Sequence, residues 1–405
     1  MPRLKKKPKT TPENNITEDI ISNTLSENTS NTNELSIYER CKDKVTILNE
    51  EDCIPTGITL LNLFLSNNRK GGFLKDNIVR ISGAKSSGKT FTFLNFLATL
   101  AHNSNFDKYD LYYDASECGD KFDKIRLFGK KTVERIKELI VSDTNNENEF
   151  KTSLEGWFYK MHRLTEGNPF IHILDSLNAL VSKVEHDNFN TNMENYEKGK
   201  DEKGEMLGLR RGQAHSLGFR DYCPKMENTG SLSIVVTQAR TNTDSQFIKE
   251  KASESSYALE HWLSYDIMLK RTIPIKEKDF QGNDHIIGQE VEFTVNKSRG
   301  TGKMGKLPVP IQIYKEYGID DLAVNVEYLK KYNIIKGSGW LTSPWNETEI
   351  NEKTGRENIK KLTTKNLIKF IEDNNLEEEV SKKVEEIWLE AELSLYSGRK
   401  KKFGN

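Results

Sequence analysis

Short apolar runs and helical apolar patterns alternate through the middle of the chain. Residues 78–82, 111–114, 170–174 and 232–237 form runs of β-branched and other apolar residues that have the length of buried strands. Helix-compatible segments separate these runs. Because strands that alternate with helices form a parallel sheet covered by helices, the pattern predicts an α/β fold with a mostly parallel twisted sheet flanked by helices.

Two long polar stretches interrupt this alternation. Residues 183–230 are mostly polar and include the helix-like segment AHSLGFRDY, and residues 239–256 form a second polar loop. Structureless loops longer than about 12–15 residues are unusual inside a compact domain and are often functional. We therefore expect these stretches to carry functional contacts.

The two ends of the chain differ from its middle. Residues 1–34 are polar and nearly free of aromatic residues, which predicts disorder, whereas more strands are expected over 265–313 and helices from about residue 320. The chain then divides into five parts: a disordered polar and basic tail at 1–34, a lead-in at 35–75, a core at 76–318, a small helical C-terminal domain at 319–393 and a basic tail at 394–405.

Composition narrows the class of protein only slightly. The net charge of −1 argues against a simple basic coat for nucleic acid, although local basic patches are compatible with it. The four cysteines show neither a zinc-site nor a disulfide spacing, and no apolar run reaches the ~18 residues that cross a bilayer. We expect a soluble, cytoplasmic protein without membrane contact.

The most specific motif is GAKSSGKT, which spans Gly83–Thr90 and matches the phosphate-binding pattern G-x-x-x-x-G-K-[ST]. It follows the predicted strand at 78–82 and precedes a helical apolar pattern, as the motif requires. In such a loop Lys89 reaches the outer phosphates and the Thr90 hydroxyl can ligate Mg²⁺. The remaining residues expected to bind nucleotide are Gly83, Lys85, Ser86, Ser87 and Gly88.

Polar residues that follow the other apolar runs supply the further groups that hydrolysis needs. Asp175 ends the run at 170–174 and can hold Mg²⁺ through its water shell, although a lone Asp there is more often a cap. Glu117 is the favoured group to activate water, and Asp114 stays open as an alternative; both could instead be solvated loop acids. Gln238, after the run at 232–237, is a candidate γ-phosphate contact.

The series GAKSSGKT, YYDASE, IHILDSLNAL and IVVTQAR resembles the RecA family of recombinases, including its phage-type UvsX relatives, in order and approximate spacing. The resemblance covers roughly residues 50–390 and implies a RecA-like P-loop ATPase core that uses ATP and Mg²⁺. It also implies that Glu117 is the catalytic carboxylate, Asp175 the Walker B acid and Gln238 the γ-phosphate sensor. The lead-in at 35–75 would then include the polymerisation segment.

The same resemblance implies two DNA-binding loops, near 183–220 and 239–257. Candidate contacts to backbone phosphates are Arg210, Arg211, Arg220 and Arg240. Lys297 and Arg299, in NKSRG, stand where the family presents basic residues to the ATP of a neighbouring subunit. An ordinary solvated turn is the alternative interpretation of Arg210 and Arg211, and solvated surface charge is the alternative for Lys297 and Arg299.

The function that the resemblance implies is an ATP-dependent DNA recombinase, phage-type and acting in the host cytoplasm. It would form helical filaments on single-stranded DNA and exchange strands with a homologous duplex, with a single-strand-binding protein and a loader as possible partners. A ring helicase built on the same core and a regulatory ATP-binding mediator are the alternatives.

Overall fold

The computed structural model describes residues 35–116, 123–139, 153–199, 207–241, 250–252, 257–350 and 357–399. Strands in these ranges are β1 Cys53–Ile54, β2 Phe73–Leu74, β3 Asn77–Gly83, β4 Asp110–Ala115, β5 Ile136–Lys137, β6 Phe170–Asp175, β7 Leu232–Thr241, β8 Glu250–Ala252, β9 Tyr265–Lys278, β10 Asp284–Ser298, β11 Gly305–Lys306, β12 Ile311–Tyr314, β13 Gly318–Ile319, β14 Thr348–Ile350 and β15 Glu357–Ile359. The α-helices are α1 Ile37–Cys41, α2 Thr59–Ser66, α3 Lys89–Ala101, α4 Lys124–Phe128, α5 Lys130–Arg135, α6 Leu154–Leu164, α7 Lys183–Glu197, α8 Leu207–Tyr222, α9 Tyr257–Trp262, α10 Asp321–Lys331, α11 Thr364–Asp373 and α12 Glu377–Ser394.

One large sheet organises the molecule, with the strand order β13-β12-β10-β9-β3-β7-β6-β4-β5. The strands from β9 to β5 are parallel to one another, whereas β10, β12 and β13 extend the sheet in antiparallel pairs. Helices flank this sheet. The predicted α/β fold with a mostly parallel sheet is therefore confirmed.

The central strands separate two hydrophobic clusters because successive side chains in a strand point to opposite faces. Ile173 of β6 belongs to a cluster with Phe93 and Leu97 of α3, whereas Leu174 belongs to a cluster with Trp157 of α6 and Phe219 of α8. A strand buried on both faces reads as a continuous apolar run, which is why residues 170–174 predicted it well.

The polar stretch at 183–230 differs from its prediction. Residues 183–197 form helix α7, and α8 begins at Leu207, well before the predicted helix-like segment. The capping box of Ser182 and Glu185 starts α7, in which no residue is buried. The pattern of apolar residues could not predict this helix, because the helix buries no apolar face.

The C-terminal helices pack against the lead-in. Glu385 of α12 accepts a hydrogen bond of 2.5 Å from the Tyr38 hydroxyl and lies 3.1 Å from Nε of Arg69. The indole of Trp388 donates to Oδ1 of Asn67 over 2.8 Å. One hydrophobic cluster thus runs from the lead-in through the sheet to α12. In the described part of the chain, no helix is long and apolar enough to cross a membrane.

Candidate functional site

The turn between β3 and α3 has the geometry of a phosphate-binding loop. Ser86 and Gly88 have positive φ angles of 61° and 87°, and Gly88 is the N-cap of α3. Gly83 is packed so closely that a Cβ there would lie 2.6 Å from the carbonyl oxygen of Leu269. Gly88 brings no side chain that caps the helix, and the N-terminus of a helix favours negatively charged groups such as phosphate.

Lys89, Thr90 and Asp175 meet at this turn. The Lys89 ammonium donates to the carbonyl oxygens of Gly83 and Ala84, both over 2.8 Å. The Thr90 hydroxyl donates to Oδ2 of Asp175 over 3.0 Å. A hydroxyl beside a carboxylate is an oxygen donor set that suits Mg²⁺, so these residues fit that ion.

A cleft of about 880 Å³ opens beside the loop. It is lined by Lys85, Ser86, Ser87, Gly88, Lys89, Thr90, Phe91, Asp175, Gln238, Arg271, Ile286, Gly288, Gln289, Ile313, Tyr314 and Lys315. Lys85, Ser86, Ser87 and Gln238 therefore share one cleft with Lys89, as the motif analysis expects.

Strands β9, β10 and β12 form the wall of this cleft that sequence reasoning missed. Gln289 donates from Nε2 to the carbonyl oxygen of Ser86 over 3.3 Å, and Arg271 and Lys315 add positive charge. No motif marks these residues, and they lie about 180 residues or more beyond the loop in sequence. Only the pairing of the strands brings them to the site.

Of the two candidate catalytic acids, Asp114 and Glu117, the structure describes only Asp114. Asp114 is buried, with Oδ1 accepting from the Leu139 amide over 2.8 Å and Oδ2 lying 2.8 Å from Nε2 of His172. The interpretation of Asp114 as a solvated loop acid is therefore wrong, since its buried carboxylate links the half-buried amide of Leu139 to the buried ring of His172. Glu117 lies outside the described residues and stays a prediction.

Gln238 stands beside the phosphate-binding loop. Its backbone pairs with Gly83 in the register of β3 and β7, and its side chain is exposed to the cleft. The amide N–H of Gln238 donates to Oδ1 of Asn178, in the segment that follows Asp175, over 3.1 Å. The position is therefore compatible with a γ-phosphate contact.

The candidate DNA-binding arginines do not share one environment. Arg210 and Arg211 lie in helix α8, so their interpretation as part of a solvated turn is wrong. Arg211 donates over 3.3 Å to the carbonyl oxygens of Leu177 and Asn178, which ties α8 to the segment after β6. Arg220 is exposed near the end of α8. Arg240 lies in β7, and its side chain and that of Arg210 are outside the described part.

A buried histidine lies one helical turn from Arg211. Burial, with the charge of Arg211 as a second cause, lowers the pKa of His215 to about 4. The imidazole is therefore neutral near pH 7 and adds no positive charge beside Arg211.

Lys297 lies in β10 and Arg299 follows directly after it, two strands away from β3 in the sheet. Lys297 of β10 pairs with Asp266 of β9, and Asp266 pairs with Arg80 of β3. Arg80 precedes Gly83 by three residues, or about 10 Å along β3. The Lys297 ammonium donates to the carbonyl oxygen of Glu260 over 3.2 Å, and burial followed by the charge of Arg299 lowers its pKa. Lys297 is thus level with the second residue of β9 and with the middle of β3, whereas Lys89 stands beyond the end of β3. The amide of Arg299 donates to the carbonyl oxygen of Ser264, the residue before β9.

Among the described residues, no group of three or more His, Cys, Asp or Glu side chains could hold a metal ion. The fit to Mg²⁺ depends instead on Thr90, Asp175 and the phosphates of a bound nucleotide.

Comparisons with known proteins find several relatives named RecA. The chain is 25 % identical over 326 residues to the protein RecA of Rickettsia bellii, which covers 80 % of this chain and 83 % of the relative. It is 24 % identical over 335 residues to RecA of Clostridioides difficile, covering 82 % of each chain, and 24 % identical over 337 residues to RecA of Lactobacillus johnsonii, covering 83 % and 80 %. No family model matches the chain. These similarities, spread over four fifths of the sequence, support a RecA-family recombinase.

Proposed function

We propose that this protein is an ATP-dependent DNA recombinase that forms filaments on single-stranded DNA and catalyses homologous pairing and strand exchange. The observation that carries the proposal is the meeting of Lys89, Thr90 and Asp175 at the end of the central strands, in a chain similar to proteins named RecA over four fifths of its length. As a phage-type member it would act in the cytoplasm of its host.

The loop residues have separate roles in this proposal. The N–H groups at the start of α3 and the Lys89 ammonium bind the phosphates of ATP, and Lys89 leaves the carbonyl oxygens of Gly83 and Ala84 to do so. Mg²⁺, when bound, neutralises phosphate charge in hydrolysis. Thr90 and Asp175 would hold that ion, Glu117 would activate the attacking water, and Gln238 would respond to the γ-phosphate.

Lys297 and Arg299 support a site that two subunits complete. Lys297 is level with the middle of β3 and Lys89 stands beyond its end, so in this proposal Lys297 and Arg299 approach the γ-phosphate of a neighbouring copy. A head-to-tail contact of this kind generates an open helix when its rotation does not close. The proposed ATP site is therefore also the filament interface.

The proposed DNA surface follows the segments after β6 and β7. Exposed Arg220, together with Arg210 and Arg240, would contact backbone phosphates, and Arg211 links this surface to the segment beside Asp175. Phosphate contacts make binding salt-dependent because they release counterions. A single-strand-binding protein and a loader are the proposed protein partners.

A joint-molecule assay with ATP, homologous single-stranded and duplex DNA, and low salt tests the proposal. Wild-type protein and the Lys382→Ala control, which removes an exposed lysine on α12, are expected to form joint molecules, whereas Lys89→Ala forms none. Glu117→Gln is expected to give stable ATP-bound filaments with slow turnover.

Three outcomes would contradict the proposal. Closed rings that unwind DNA, seen by electron microscopy with ATP, would indicate the helicase. DNA binding with weak ATP hydrolysis and without joint molecules would indicate the mediator. Failure of the wild type to pair DNA with a single-strand-binding protein and loader supplied would exclude the recombinase.

A further inference from the structure

A buried tyrosine on β4 contacts the same carboxylate oxygen as Thr90. The hydroxyl of Tyr113 donates to Oδ2 of Asp175 over 3.2 Å, and Thr90 donates to that oxygen over 3.0 Å. Neither the motif analysis nor the resemblance assigns Tyr113 a role. We propose that Tyr113 is a positioning residue that orients the Asp175 carboxylate and thereby sets the affinity of the nucleotide site for Mg²⁺.

The sheet holds the tyrosine in place. Strands β4 and β6 are parallel neighbours in which Tyr113 pairs with Ile173 and Ala115 pairs with Asp175. Tyr113 is only 2 % exposed and belongs to the cluster that contains Phe93 and Leu97. Because the ring is packed in that cluster, its hydroxyl meets Asp175 from a fixed direction.

Two donors on one oxygen constrain the carboxylate more than one donor does. Thr90 belongs to α3 and Tyr113 to β4, so Oδ2 of Asp175 accepts hydrogen bonds from two different elements. Partners outside the metal's own ligands orient those ligands, and their loss commonly weakens metal binding by 10-fold or more. Since Asp175 is proposed to act through the metal's water shell, we expect a smaller effect for Tyr113.

A purely structural role for the hydroxyl makes a different prediction. A buried tyrosine hydroxyl requires a partner, so its removal could change the free energy of unfolding without changing metal affinity. Tyr112 is the matched control, because it is the adjacent tyrosine of β4 and its side chain points to the opposite face, where Lys137 lies over its ring.

The proposal rests on the proposed ATP function, and it is tested by Mg²⁺ titrations of the binding of a fluorescent ATP analogue. The full chain is compared as wild type, Tyr113→Phe and Tyr112→Phe. Tyr113→Phe is expected to need about 3–10-fold more Mg²⁺ for half-maximal binding, with binding at saturating Mg²⁺ within about twofold of the wild type. Tyr112→Phe is expected to match the wild type.

A second variant separates positioning from a change in folding. In an Asp175→Asn background, Tyr113→Phe should shift the Mg²⁺ midpoint no further, because the carboxylate it acts through is gone. An unchanged midpoint in Tyr113→Phe, an equal shift in Tyr112→Phe, or a further shift in the Asp175→Asn background would overturn the proposal. If the wild type shows Mg²⁺-dependent nucleotide binding but forms no joint molecules, only the recombinase function is contradicted. If the wild type shows no Mg²⁺-dependent nucleotide binding, both the proposed function and the role of Tyr113 are contradicted.

Discussion

Helices α3 and α7 both follow a central parallel strand, yet different interactions stabilise them. Helix α3 begins at Gly88 without a side-chain cap and buries an apolar stripe that includes Phe93 and Leu97. Helix α7 has a capping box at Ser182 and buries no residue. Helix α3 is stabilised by the core and has no side-chain cap, whereas α7 has a side-chain cap and buries no residue in the core.

The difference between the two helices indicates which N-terminus suits a ligand. The first N–H groups of any helix require partners, and in α7 the side chain of Ser182 supplies one. At α3 no side chain caps the helix, and the packing of the apolar stripe stabilises it, so its N-terminus suits phosphate oxygens. The exposed residues Phe189, Met193 and Tyr196 of α7 show that its apolar side chains contribute little to its packing.

The largest expected effect is the loss of unfolding free energy when a buried side chain of α3 is removed, compared with an exposed one of α7. Leu97→Ala, in α3, removes a fully buried side chain and is expected to lower the free energy of unfolding by about 2–5 kcal/mol. Met193→Ala, in α7, is expected to change it by less than about 0.5 kcal/mol, since Met193 is 47 % exposed. Denaturant unfolding of both variants measures the difference, and equal losses would contradict the comparison.

A glycine pair tests the close packing at the nucleotide loop. Gly83→Ala would bring a Cβ within 2.6 Å of the Leu269 carbonyl oxygen and is expected to cost about 1–3 kcal/mol of unfolding free energy and to weaken ATP binding. Gly212→Ala, in α8, meets nothing within 4 Å and is expected to stabilise the protein by about 0.5–1 kcal/mol. Thermal unfolding and nucleotide titration check both, and tolerance of Gly83→Ala would show that β9 can yield.

The smallest expected effect concerns the cap of α7. Ser182→Ala removes the side chain that accepts from the Glu185 amide and is expected to cost about 1 kcal/mol, confined to this helix. Hydrogen exchange should become about fivefold faster for amides of α7 and stay unchanged for α3. Equal acceleration in both helices would mean that α7 is coupled to the core.

Prediction from sequence succeeded where local pattern and burial agree. Strands β3 and β6 were predicted to within about two residues because continuous apolar runs mark strands buried on both faces. Helix α7 was not predicted, because its start depends on the hydrogen bonds of a capping box and its exposed side chains carry no inward stripe. The division into a core and a C-terminal domain stays a prediction.

The residues of the candidate site likewise fall into those that local sequence identifies and those that it does not. The GAKSSGKT loop, Asp175 at a strand end and Gln238 beyond the next strand could be identified from sequence, because each depends on residues that are close along the chain. The roles of Glu117 and of Arg210 and Arg240 stay predictions. Asp114 was open as a catalytic alternative because no local pattern reveals its contact with His172 on β6.

The sequence by itself determined the phosphate-binding loop and the apolar strands around it, since a glycine-rich turn and alternating burial are local consequences of residue type. Only the tertiary structure decided that Tyr113 contacts Asp175, that Gln289 contacts the loop and that Lys297 is level with the middle of β3. The physical reason is strand register: pairing places residues that are tens to hundreds of positions apart within hydrogen-bonding distance, and no short segment of the chain encodes that pairing.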